Sequence, residues 1–213
     1  MVVKICGLTN YEDASKAVEL GADLLGFLFA KESPRYTEPC KVKKIIQNLP
    51  EETGKAGLFK NEDIDVIVDT LLECSLTHVQ LHGNESPVFC INLKSAALKH
   101  GKDIIVMKTF KVGEAIMWSN PLEYEKAVNY FLFDTYHPKM MGGTGLKFDW
   151  DVLKNTNINN PYFLAGGLDP KNVGEAIRTL NPYGVDIASG VEAFVGKKDH
   201  EKLKEFIYNA KNA

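Results

Sequence analysis

Short apolar runs recur about every 25 residues along the chain, with helical patterns between them. The runs Val2–Cys6, Leu24–Phe29, Ala56–Phe59, Thr77–Leu81, Ile104–Thr109, Tyr130–Asp134, Tyr162–Ala165 and Val185–Ser189 are rich in Val, Ile, Leu and Phe without clean alternation. Strands covered on both faces read this way. Apolar residues at helical spacing predict helices over Tyr11–Leu20, Asp63–Leu72, Pro87–Leu98, Asn172–Leu180 and His200–Ala210. The first carries Ala14, Ala17 and Val18 on one face and stops at Gly21, a residue suited to the left-handed turn past a helix end. Pro170, after Asp169, suits a helix start. A helix after Gly113 is interrupted at Asn120-Pro121.

Eight strands alternating with helices imply an α/β protein with parallel strands. The expected architecture is a single (β/α)8 TIM barrel spanning residues 1–213. Such barrels usually take about 250 residues, so this one would be compact. An open doubly wound sheet is the alternative, but its dinucleotide signature, G-x-G-x-x-G after the first strand, is absent. No Ser/Pro-rich or charge-block segment separates two halves.

Composition narrows the class of partner. A net charge of −3 supplies no basic field for nucleic acid and no polybasic membrane patch. No apolar run approaches the roughly 20 residues of a spanning helix, and Lys4, Glu12 and Asp13 break any signal-peptide pattern. Cys6, Cys40, Cys74 and Cys90 lie far apart with no C-x-x-C pair, which favours reduced thiols and a cytoplasmic protein.

Candidate chemistry gathers where strands end. Cys6 closes the first strand, directly before Gly7. An unpaired cysteine can be no more than a small buried hydrophobe, but in a barrel this end of the strands carries the chemistry. Strand alternation places Lys4 on the same side, about 7 Å back. An ammonium in the interior should find a partner, and Asp186, on the last strand, is expected to pair with it. Nearby positive charge would also favour a thiolate. Asp134 closes the sixth run and is either a polar cap at the solvent edge or a carboxyl facing the mouth. The glycine-rich segment His137–Gly145 follows and could cover a ligand. A thiolate and a carboxyl across one mouth would make a base and an acid, with a bell-shaped kcat/KM between about pH 5 and 9 whose acidic limb belongs to the base. The turns Gly166-Gly167 and Ser189-Gly190 follow the last two strands, where barrels often hold phosphate. Arg35, after Pro34, could grip a carboxylate or be a solvated loop residue, and His82 ends the fourth strand with a binding role or simple exposure. No His/Glu spacing suggests a metal site.

The ordered set Lys4-Ile5-Cys6-Gly7-Leu8-Thr9, Ser33-Pro34-Arg35, Gln80-Leu81-His82-Gly83, Gly142-Gly143-Thr144-Gly145 with Phe148-Asp149-Trp150, Leu164-Ala165-Gly166-Gly167-Leu168, Val185–Glu192 and Gly196-Lys197-Lys198-Asp199 closely resembles the phosphoribosylanthranilate isomerase family over essentially the whole chain. The resemblance implies an Amadori rearrangement in tryptophan biosynthesis, without cofactor or metal. It implies Asp134 as general acid at the ribose ring oxygen and Cys6 as general base at C2. It further implies Arg35 at the anthranilate carboxylate, His82, Gly143 and Gly145 as substrate contacts, and Gly166, Gly167, Ser189 and Gly190 at the phosphate. The partners implied are the small-molecule substrate and, for assembly, a monomer or homodimer. Lys60, Ala188 and the segment 136–141 depart from the family's usual residues. A sister phosphate-binding barrel is a rival, although the histidine-pathway isomerase would need aspartates where this chain has Cys6 and Thr109. A binding subunit without turnover is a second rival.

Overall fold

The computed structural model describes residues 1–112, 120–135, 153 and 158–213. The strands β1 (Val2–Ile5), β2 (Leu24–Leu28), β3 (Gly54–Phe59), β4 (His78–Leu81), β5 (Ile105–Val112), β6 (Tyr130–Thr135), β7 (Tyr162–Ala165) and β8 (Gly184–Ile187) pair in sequence order and close into a barrel. Every pairing is parallel, and the closing pair sets Lys4 of β1 opposite Asp186 of β8. Each run expected to be a strand is one, with ends that move by up to three residues.

Alternation along the strands divides the apolar residues into two groups. Val3, Ile5, Leu25, Phe27, Val79, Leu81, Phe131, Phe133, Leu164 and Val185 point outward and pack in one large core with the helices. Leu24, Ala56, Met107, Leu132, Phe163 and Ala165 form a separate cluster inside the barrel. Because both faces are covered, neither is a solvated polar face, which explains the apolar-rich runs without clean alternation.

The described helices are α1 (Tyr11–Glu19), α2 (Pro39–Ile46), α3 (Ile64–Cys74), α4 (Pro87–Lys99), α5 (Val173–Leu180) and α6 (His200–Lys211). Local chemistry starts and stops them. Asn10 accepts the Asp13 N–H at 2.9 Å, Ser86 accepts that of Phe89 before Pro87 opens α4, and Asp199 accepts those of Glu201 and Lys202. Gly21 has φ +97° just past α1, the left-handed stop expected there. Helix α2 is an addition to the expected set, burying Val42, Ile45 and Ile46 on one face. Of the interrupted helix after β5, residues 113–119 lie outside the described residues, and Pro121–Tyr124 forms a single 3-10 turn.

A second addition follows β8. A 3-10 turn, Ser189–Val191, leads into a two-stranded antiparallel hairpin, β9 (Glu192–Phe194) and β10 (Lys197–Lys198), before α6 begins. Asp13 of α1, fully buried, anchors this hairpin. It accepts the Lys198 backbone N–H at 2.8 Å, lies 2.9 Å from the Lys197 ammonium, and meets His200 Nε2 at 2.9 Å.

Candidate active site

At the C-terminal ends of the strands lies a cavity of about 270 Å³. Its lining includes Cys6, Arg35, Gln80, His82, Asp134, Gly166, Gly167, Asp186, Ser189 and Gly190. Nine residues singled out from the sequence therefore face one space, although they are spread over more than 180 positions of chain. Gly143 and Gly145 lie outside the described residues, as does the rest of the glycine-rich segment.

Cys6 follows β1 and donates its backbone N–H to the Ile187 carbonyl at 2.8 Å, which continues the β1–β8 ladder to the cavity floor. The thiol is buried but opens onto the cavity. A glycine on the neighbouring strand makes room for it: a Cβ on Gly26 would stand 2.8 Å from Cys6 Sγ. Asp134, on β6, faces the cavity from nearly the opposite wall, and His82 Nε2 lies 3.3 Å from its Oδ2. Thiol and carboxyl thus stand on two walls of one cavity, with an imidazole beside the carboxyl.

Beneath the thiol runs a row of buried polar groups. The Lys4 ammonium, with no exposure, donates to Asp186 Oδ1 at 2.9 Å and to Gln80 Oε1 at 2.8 Å. Gln80 Nε2 in turn donates to Thr109 Oγ1 at 3.1 Å. The interior Lys4–Asp186 pair is the one strand alternation predicts. Burial pulls the Lys4 ammonium down, but Asp186 and then Cys6 outweigh it and hold the group above its ordinary value. For Cys6 the balance tips the other way. Burial pushes the thiol up, and the Lys4 and Lys198 ammonium groups only partly counter it. Nearby positive charge does favour the thiolate, as expected, but in the free protein desolvation outweighs the cations.

Arg35 stands between β2 and α2, and its side chain packs over Gly7, where a Cβ would lie 2.6 Å from Arg35 Cδ. Its guanidinium is forked onto Glu192, Nε to Oε1 at 2.8 Å and Nη2 to Oε2 at 2.6 Å. Glu192 also takes the Lys198 ammonium at 3.2 Å, and Lys198 Nζ donates to the Ala188 carbonyl at 2.9 Å. Burial pushes the Glu192 carboxyl up, but Arg35 and Lys198 together hold it below its ordinary value. Glu192 and Lys198 occur in the motifs quoted above, yet neither carries an expectation from sequence. Glu192 pairs with Arg35, 157 positions away, which leaves no local signal.

Gly166 and Gly167 both adopt positive φ, +80° and +64°, so the chain turns sharply as β7 ends. Ser189 and Gly190 form the turn after β8. The two turns are in contact, because a Cβ on Gly190 would overlap the Leu168 carbonyl oxygen. Asp169 then accepts the backbone N–H groups of Lys171 and Asn172 ahead of α5. Among the described residues, no group of three or more His, Cys, Asp or Glu is placed to hold a metal, and no helix is long and apolar enough to cross a membrane.

Comparison with known proteins gives a consistent result. Residues 3–209 match the family model of N-(5'-phosphoribosyl)anthranilate isomerase. The enzyme of that name from Geobacter metallireducens is 44% identical over 209 residues, which is 98% of either chain. The crystal structure of phosphoribosylanthranilate isomerase from Thermotoga maritima superposes with a TM-score of 0.81 at 42% identity, covering all of both chains. A phosphoribosylanthranilate isomerase solved with reduced 1-(o-carboxyphenylamino)-1-deoxyribulose 5-phosphate superposes at 0.76, with 38% identity and full coverage of both chains.

Proposed function

Because the chain belongs to the phosphoribosylanthranilate isomerase family, we propose that it catalyses the Amadori rearrangement of N-(5-phosphoribosyl)anthranilate to 1-(2-carboxyphenylamino)-1-deoxyribulose 5-phosphate in tryptophan biosynthesis. The observation that carries this reading is the placement of Cys6 and Asp134 on two walls of a cavity closed on a third side by the Gly166-Gly167 and Ser189-Gly190 turns. A sugar phosphate needs those three elements together: an anion site to anchor it, an acid and a base.

In this reading the two turns hold the phosphate, with backbone donors and the Ser189 hydroxyl supplying the complementary dipoles. Arg35 holds the anthranilate carboxylate, offering the guanidinium edge that Glu192 does not occupy. His82 contacts the substrate beside Asp134. With the substrate so fixed, Asp134 gives its proton to the ribose ring oxygen, the C1–O bond breaks, and the nitrogen lone pair forms an iminium. Cys6 removes the proton from C2, the electrons return to nitrogen, and the resulting enolamine tautomerises to the ketone. The net change is internal to the substrate, C1 being reduced as C2 is oxidised and the ring oxygen leaving C1 as a hydroxyl, so the rearrangement calls for no external oxidant or reductant. Residues 1–213 act as a single catalytic domain, as a monomer or homodimer. The free thiol on the surface at Cys40 suits the reducing cytoplasm.

The decisive experiment is turnover of freshly generated phosphoribosylanthranilate by the purified protein beside its Cys6→Ala and Asp134→Asn variants. General acid and base groups contribute about 10²–10⁴-fold each, so both variants should lose most of kcat while product affinity stays within about tenfold. Turnover retained in Cys6→Ala would keep the isomerase and remove the thiol as its base. Product binding without turnover by the unaltered protein would instead make it a binding subunit.

A further inference from the structure

Charged groups surround Cys6, some lining its cavity and others behind the wall. Lys4 and Asp186 lie beneath it, Lys198 and Glu192 come from the β9–β10 hairpin, Arg35 comes from the segment after β2, and His82 and Asp134 stand across the opening. These groups do not contribute equally once their own pairings are counted. Lys4 and Asp186 neutralise each other. In the hairpin cluster, two cations, Arg35 and Lys198, share the single carboxylate of Glu192, and Arg35 takes both of its oxygens. Lys198 is completed by a neutral partner, the Ala188 carbonyl. That carbonyl lies one residue beyond Ile187, whose own carbonyl accepts the Cys6 N–H. The cluster therefore carries one positive charge in excess, fixed at the strand end where the thiol sits.

We propose that Lys198 is a positioning residue that favours the thiolate form of Cys6, its buried ammonium sharing Glu192 with Arg35 and so leaving the cluster with one cation in excess. This gives the Gly196-Lys197-Lys198-Asp199 motif a physical role. The hairpin is folded back so that Lys198 reaches the end of β8, and Asp13 clamps it there through the Lys198 backbone N–H. The opposing pull of Lys198 on the raised Cys6 thiol is in keeping with this assignment. Its bearing on turnover rests on the reading of Cys6 as base; its bearing on the thiol does not.

The test is the pH dependence of Cys6 alkylation by iodoacetamide, resolved from the exposed Cys40 by peptide mass spectrometry. Lys198→Met should move the alkylation midpoint up by about one pH unit, the lower end of what a neighbouring charge does to a pKa. Well below the midpoint, that is roughly a tenfold slower reaction. Lys198→Arg, which keeps the charge, should hold the midpoint of the unaltered protein. Should Lys198→Met not fold, Lys198→Gln carries the same expectation. A neutral variant with an unmoved midpoint, or an arginine variant shifted as far as the neutral one, overturns the assignment. A shifted midpoint together with full turnover in Cys6→Ala leaves Lys198 in its role and rejects the thiol as base.

Discussion

At the scale of single residues, the protonation of Cys6 decides how the acid–base pair works. Burial pushes the Cys6 thiol above its ordinary value, so the thiolate that a general base needs is a minor form near neutrality and grows as the pH rises. If Cys6 is the base, one limb of the kcat/KM profile belongs to its thiol. A pH profile of kcat/KM set beside the alkylation midpoint checks this: a profile with neither limb at that midpoint rejects the thiol as base. Cys6, Asp134 and His82 could be picked out from sequence because each sits at or next to a strand end, and Arg35 because Pro34 precedes it in the segment after β2. The partner of Arg35 could not, because Glu192 reaches it only through the closed barrel.

At the scale of elements, the turns after β7 and β8 work as one unit. Gly190 has no Cβ because the Leu168 carbonyl occupies that space. Gly190→Ala must push the two turns apart, and overpacking of this kind costs about 1–3 kcal/mol of stability. If the turns hold the phosphate, the same variant should bind the product at least about tenfold more weakly, a loss of roughly 1.4 kcal/mol, while kcat changes less. Isothermal calorimetry with product checks this, and unchanged affinity would separate the turns from phosphate binding. The helices with capping residues, such as α1 and α6, are legible in sequence to within a residue or two. The short α2 is harder, since it starts at Pro39 with no side-chain cap and has only eight residues to show a periodicity. The β9–β10 hairpin is illegible locally, because its strands are three and two residues long and are held by Asp13, Thr9 and Arg35 from distant parts of the chain.

At the scale of the whole molecule, the barrel closes where β1 meets β8, and Lys4 and Asp186 span that seam inside the wall. Removing one member of a buried pair strands the other charge, so Lys4→Met should lower stability by about 3–5 kcal/mol in urea unfolding. The double variant Lys4→Met/Asp186→Leu should recover most of that loss, since a buried pair can often be replaced by apolar groups of similar volume. A double variant no more stable than the single one would count against the pair as the cause. In the same experiment the unaltered chain should unfold in one transition, with circular dichroism and tyrosine fluorescence coincident. Two separated transitions would reject a single domain.

By itself the sequence determined the eight barrel strands and their order, the parallel barrel, the inward-facing Lys4 and Asp186 of the first and last strands, and the strand-end residues around the cavity. These depend on periodicity and on turn chemistry, which act over a few residues. Only the tertiary structure decided which charges neutralise one another and how strongly the thiol is desolvated. Burial and long-range pairing are properties of the closed barrel, and the same Lys4, Lys198 and Glu192 would carry different charge balances in any other arrangement of the chain.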